Sequence, residues 1–116
     1  MKYLLLMYWN QSETPEYTPE EQQALQREWL SYNKEAKNAG VLIDTNGLAP
    51  AASATTIRVR DGKTLTTDGP FAEAHEQMGG YYMLECADLD EAIKWAERIP
   101  AAKQGSIEIR PLWTPD

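Results

Sequence analysis

Apolar and polar positions change their period several times along this 116-residue chain, and each change marks an element. Lys2 to Trp9 is an unbroken apolar and aromatic run. Its length and aromatic content predict a strand covered on both faces. Asn10 to Tyr17 is loop chemistry, with Ser12, Thr14 and Pro15. The spacing then turns helical: Leu25, Trp29, Tyr32, Ala36 and Ala39 recur at steps of four, three, four and three, one face of an α-helix. Thr18 is placed to cap it, Pro19 fits its first turn, and Glu21 completes a capping box. Glu20 and Glu21 suit the positive end of the helix dipole, and Gly40 closes the helix.

After Gly40 the period of two returns. Val41 to Ile43 begins a strand that can run towards Leu48, broken by Asn46-Gly47 and the small residues Ala49 to Ala54. Thr56 to Arg60 alternates Ile57 and Val59 against Thr56, Arg58 and Arg60. Asp61-Gly62 is a hairpin signal, and Lys63 to Thr67 returns with a Thr-rich pattern that predicts an exposed or edge strand. A short helical turn is expected within 71–78, stopped by Gly79-Gly80. Tyr81 to Cys86 reads as a strand. Asp88 caps a second helix, with Glu91 three residues on and Ala92, Trp95, Ala96 and Ile99 as its apolar face; Pro100 ends it. Ser106 to Leu112 is the last strand.

The order is β-α-β-β-β-β-α-β. Without the 57–67 hairpin it is β-α-β-β-α-β, the split arrangement of ferredoxin-like folds. The expectation is one α+β domain over 1–116, with two helices on one face of an antiparallel sheet. The other face also carries apolar residues, and a second copy of the chain, a homodimer, is the simplest cover for it.

Composition narrows the partners. The net charge is −7, from 18 acidic and 11 basic residues. Such a chain is repelled by nucleic-acid phosphates and by anionic membrane surfaces, so neither is an expected partner. Cys86 is the only cysteine, which excludes an intrachain disulfide and a thiolate cluster and fits a reducing compartment. It lies in an apolar run and reads as a small core residue. The opening MKYLLLMYW is too short and lacks the cleavage site of a signal peptide, and no apolar stretch reaches about 18 residues. A cytoplasmic location is expected. One His, one Cys and unspaced carboxylates predict no metal site, and no glycine loop has the residues of a phosphate cradle, so no cofactor is expected.

One motif is specific. Asp68-Gly69-Pro70-Phe71-Ala72-Glu73, then Glu76-Gln77 and Gly79-Gly80-Tyr81-Tyr82, resembles the signature of the DGPF subgroup of YCII-related proteins. Asp88-Leu89-Asp90-Glu91-Ala92, Trp95-Ala96, Ile99-Pro100 and Glu108-Ile109-Arg110-Pro111 extend the likeness, as do Met7-Tyr8 and Ala39-Gly40-Val41-Leu42, across nearly the whole chain. The resemblance implies a dimeric α/β barrel, with a cleft between sheet and helices as the site. It also implies a regulatory association with sigma factors of the extracytoplasmic-function type. A His–Asp pair is suggested as catalytic in the wider group, its His on the first helix. Here that region holds Trp29, Tyr32 and Asn33, so the correspondence stops at Asp68.

Two readings of Asp68 stand side by side. Its carboxylate either enters a cleft as acid or base, or caps its own turn, with Gly69 and Pro70 shaping the backbone. His75, seven residues on, could pair with it across the turn or lie on the surface. Phe71 is expected as a core anchor under the loop and as a contact of any ligand. Tyr8, Trp29, Tyr32 and Tyr81 complete a candidate aromatic lining for a small organic molecule, set against the plainer reading of an aromatic-rich core. The functional expectation is a small dimeric protein that binds a small ligand or serves a sigma-factor system. The alternative is a small cofactor-independent enzyme using Asp68 as acid or base.

Overall fold

The computed structural model of the chain describes residues 1–13 and 15–113. Eight elements carry the fold: β1 (Lys2–Trp9), α1 (Pro19–Asn38), β2 (Leu42–Gly47), β3 (Thr55–Arg60), β4 (Lys63–Asp68), β5 (Gln77–Glu85), α2 (Leu89–Glu97) and β6 (Ser106–Pro111). Short 3-10 turns at Gln11–Glu13, Ala51–Ser53 and Pro100–Lys103 punctuate the connections. The main sheet has the strand order β2-β5-β1-β6, every pairing antiparallel. With the hairpin set aside, that is the strand order of a ferredoxin-like α+β fold. β3 and β4 form a separate two-stranded sheet.

Local chemistry explains the helices. Thr18 Oγ1 accepts from the Glu21 N–H at 3.1 Å, and the Glu21 carboxylate accepts from the Thr18 N–H at 3.2 Å, so the expected capping box is closed on both sides. At the other end Gly40, at φ 75°, lets Val41 N–H reach the Ala36 carbonyl at 3.1 Å and Gly40 N–H reach that of Lys37 at 3.0 Å. These are the two bonds of a Schellman stop. In α2, Asp88 accepts from Glu91 N–H at 2.9 Å, while Glu91 accepts from Ala87 N–H at 2.7 Å, one residue before the cap.

The helical turn expected within 71–78 does not form. Residues 71–76 form bends and irregular loop, and β5 begins at Gln77 and continues through Gly79 and Gly80. The glycines are there for clearance. A Cβ on Gly79 would lie 2.0 Å from the Trp9 ring, and one on Gly80 would lie 2.8 Å from the Asn46 carbonyl oxygen and the Met7 methyl. The β1–β5 register jumps from Met7↔Gly80 to Tyr8↔Met78, leaving Gly79 as a bulge residue.

The core lies between one sheet face and the helices. Tyr3, Leu5 and Met7 of β1 and Tyr82 and Leu84 of β5 meet Tyr32 and Ala36 of α1 and Ala92 and Ala96 of α2, with Ile99 just beyond. Cys86 is buried, as its apolar run predicts, and burial pushes its thiol pKa up, with Glu91 adding to the effect. The opposite sheet face carries Leu4, Leu6, Tyr8, Tyr81 and Met83, all half-buried. No described helix is long and apolar enough to cross a membrane.

Candidate functional site

A cavity of about 750 Å³ opens on the helix side of the sheet, at the end of β1. Its floor is Met7, Thr45 and Gly79, from three neighbouring strands. The α1 face supplies Leu25 and Trp29, two of the residues whose periodicity predicted that helix. Trp9 and Tyr17, on either side of the β1–α1 connection, bring two more rings. Pro100 and Ala101 close the side beyond α2. The size suits a small organic molecule, and an apolar lining with a few polar groups is what such sites need.

The rings are held in place. Trp29 lies parallel to Tyr82, with 6.3 Å between ring centroids and 2° between planes. Tyr32 meets Tyr82 edge-on at 5.2 Å, and Trp95 meets Tyr32 edge-on at 5.9 Å. The Tyr82 hydroxyl donates to Asn33 Oδ1, and that of Tyr32 to the Trp95 carbonyl at 3.0 Å. Burial raises the pKa of both phenols, and for Tyr32 a charge on Tyr82 would add to it. Both are therefore neutral hydrogen-bond donors at physiological pH. The polar groups at the cavity are Asn10, Glu13, Thr45 and Gln104. Gln104 Nε2 donates to the Tyr17 hydroxyl at 2.8 Å, which ties two lining residues together, and Thr45 Oγ1 donates to the Tyr81 carbonyl at 2.9 Å.

Of the residues singled out from the sequence, Trp29 lines this cavity. Tyr32 is 4% exposed and belongs to the core behind it. Tyr8 and Tyr81 stand on the opposite sheet face. There the Tyr81 hydroxyl donates to Asp44 at 2.7 Å and accepts from Asn46 at 2.9 Å, while that of Tyr8 donates to Glu108 at 3.3 Å. Burial, followed by the Glu108 charge, raises the Tyr8 pKa.

Phe71 is not a core anchor: it is 75% exposed, with the Arg58 guanidinium 5.3 Å from its ring centre. The turn holding it is fastened from outside, leaving the ring no core to enter. Gly69, at φ 101°, donates to the Ala54 carbonyl at 2.7 Å and accepts from Thr56 Oγ1 at 2.9 Å. Phe71, Pro70 and Tyr8 share a second hollow, between the hairpin and the body.

Asp68 ends β4, is exposed, and among the described residues its carboxylate takes no hydrogen bond from its own turn. His75 is exposed in the following connection, and no hydrogen bond or ion pair joins it to Asp68 among the described residues. Neither lines the 750 Å³ cavity. Sequence reasoning missed Trp9 and Tyr17 as its walls. The signal lay in Gly79, whose missing side chain makes room for the Trp9 ring.

Comparison with known proteins places these observations in a family. The model of the YCII-related domain matches residues 1–115. An uncharacterized protein of Rhizobium meliloti (strain 1021) is 38% identical over 114 residues, a span covering 97% of this chain and 92% of the relative.

Proposed function

This chain belongs to the YCII-related family, and on that footing we propose that it binds a small, largely apolar organic molecule in the cavity under α1. The observation that carries this reading is the cavity of about 750 Å³ walled by Trp9, Tyr17 and Trp29. Three rings held by stacking, by a glycine clearance and by the Gln104 hydrogen bond form a preorganised surface, which lowers the ordering cost of binding. The measurement is a fluorescence titration with N-phenyl-1-naphthylamine, a neutral apolar probe. Binding in the micromolar range is expected, weakened roughly tenfold by Trp29→Leu through lost ring contact. Asp68→Asn serves as the control and leaves the affinity unchanged, because Asp68 lies outside the cavity lining. A probe that binds wild type and Trp29→Leu equally removes the site from the cavity. Affinity that falls with Asp68→Asn instead favours the acid–base reading centred on the hairpin.

The same reading includes a homodimer. The half-buried face of Leu4, Leu6 and Met83, rimmed by the Tyr81–Asp44 and Tyr8–Glu108 pairs, is apolar at its centre and polar at its edge. That is the anatomy of a protein interface. Two chains paired through it would leave both cavities on the outside, under their helices.

A further inference from the structure

The charge distribution around the cavity narrows the ligand further. Among the described residues, Glu13 is the only charged one in its lining, and no described Lys, Arg or His lines it. The basic side chain next to the Gln104 corner is Lys103, and its ammonium is occupied by the Glu28 carboxylate at 3.1 Å. The positive end of α1 offers an anion little, since Thr18 takes the Glu21 N–H and Glu20 and Glu21 fill the first turn. The chain as a whole carries a net charge of −7, so its field draws cations and repels anions at the opening. Against this stand three aromatic walls, Trp9, Tyr17 and Trp29, whose ring faces carry negative electrostatic potential.

Resting on the small-molecule reading above, we propose that the ligand is an organic cation with an apolar body, its ammonium group seated among the rings of Trp9, Tyr17 and Trp29 beside the Glu13 carboxylate. A weakly hydrated ammonium, alkylated or carried on an aromatic frame, is the group that an aromatic lining beside a carboxylate recognises. It loses little hydration on entry and gains the attraction of the rings, with tryptophan the strongest of the aromatic partners. A carboxylate or phosphate ligand would meet the same rings and the same Glu13 with the opposite sign, and no cation among the described lining residues would offset it.

The test separates this inference from the one beneath it. Bound N-phenyl-1-naphthylamine is displaced in parallel by phenyltrimethylammonium and by its neutral isostere tert-butylbenzene, which share shape and differ in charge. Phenyltrimethylammonium is expected to displace the probe at roughly tenfold lower concentration. In Glu13→Gln, an exposed position where the fold has little at stake, that advantage shrinks by about threefold, and 0.5 M salt shrinks it further. Equal displacement by the two compounds, or better displacement by tert-butylbenzene, overturns the cation inference and leaves the apolar cavity standing. Probe binding with displacement by neither compound also overturns it. Failure of the probe to bind wild type removes both readings together.

Discussion

At the scale of single residues the cavity depends on a side chain that is missing. Gly79 sits against the Trp9 ring, where a Cβ would come within 2.0 Å of ring carbons. Because β5 is a central strand, the backbone there has little freedom to retreat. Gly79→Ala must therefore push the indole out of its seat. The expected result is a stability loss of about 1–3 kcal/mol by denaturant titration, together with weakened probe binding. Unchanged affinity would mean that Trp9 is not a functional wall. Trp29 could be picked from the sequence because its helical spacing and its neighbours lie within one turn of each other. Trp9 could not, since its role depends on a glycine 70 residues away that local reading takes for a breaker. Phe71 fails for a related reason. Hydrophobicity alone marks it for the core, but it lies in the loop that follows the hairpin, 75% exposed, and the Arg58 guanidinium of the hairpin is its described ring partner.

At the scale of elements the packing of α1 on β5 is aromatic and carries a pH signature. Trp29, Tyr82, Tyr32 and Trp95 stand in sequence across the helix–sheet contact. Burial raises the pKa of Tyr32 and Tyr82 above the ordinary 10.0. A phenol whose folded pKa exceeds its unfolded one contributes stability that is fully present below the unfolded value and lost as pH rises through the folded one. Thermal melts should show no pH dependence from these tyrosines between pH 6 and 9, where their contribution is complete. Above about pH 10 stability should fall, at up to about 1.4 kcal/mol per pH unit for each tyrosine. Phe at position 82 should flatten its share of that slope; a slope identical to wild type would mean that the Tyr82 ring is wet. Element boundaries were readable wherever side chains write them locally, as with Thr18, Glu21 and Gly40 at the ends of α1. The 71–78 segment was not, because its last two residues, Gln77 and Met78, are drawn into β5 by pairing with β1, a long-range partner that no local pattern reveals.

At the scale of the molecule the chain is more extended than a lone globule. Its Cα radius of gyration is 16.5 Å, against about 13 Å for a compact domain of this length. The excess lies in a flat 48 × 48 × 18 Å shape with β3 and β4 as a separate sheet exposing Ile57, Val59 and Leu65. A two-stranded hairpin is marginal alone in water, so an extended arm and an uncovered sheet face both fit a chain that pairs with a second copy. Sedimentation at micromolar concentration should give a dimer, and Leu6→Lys, at the centre of the open face, should give a folded monomer. A monomeric wild type would remove the dimer.

The central claim, a ligand cavity walled by aromatic rings, is tested most directly by its own reporters. The four tryptophans are Trp9, Trp29, Trp95 and Trp113. Two of them line the cavity, Trp95 packs behind it on Tyr32, and Trp113 is 86% exposed. The measurement is the indole N–H region of the proton–nitrogen NMR spectrum during titration with N-phenyl-1-naphthylamine, each signal assigned by substitution. Saturable shifts of Trp9 and Trp29 with one common dissociation constant, while Trp113 stays in place, are the predicted result. Shifts confined to Trp113, or none at any indole while the probe is bound, would contradict the account.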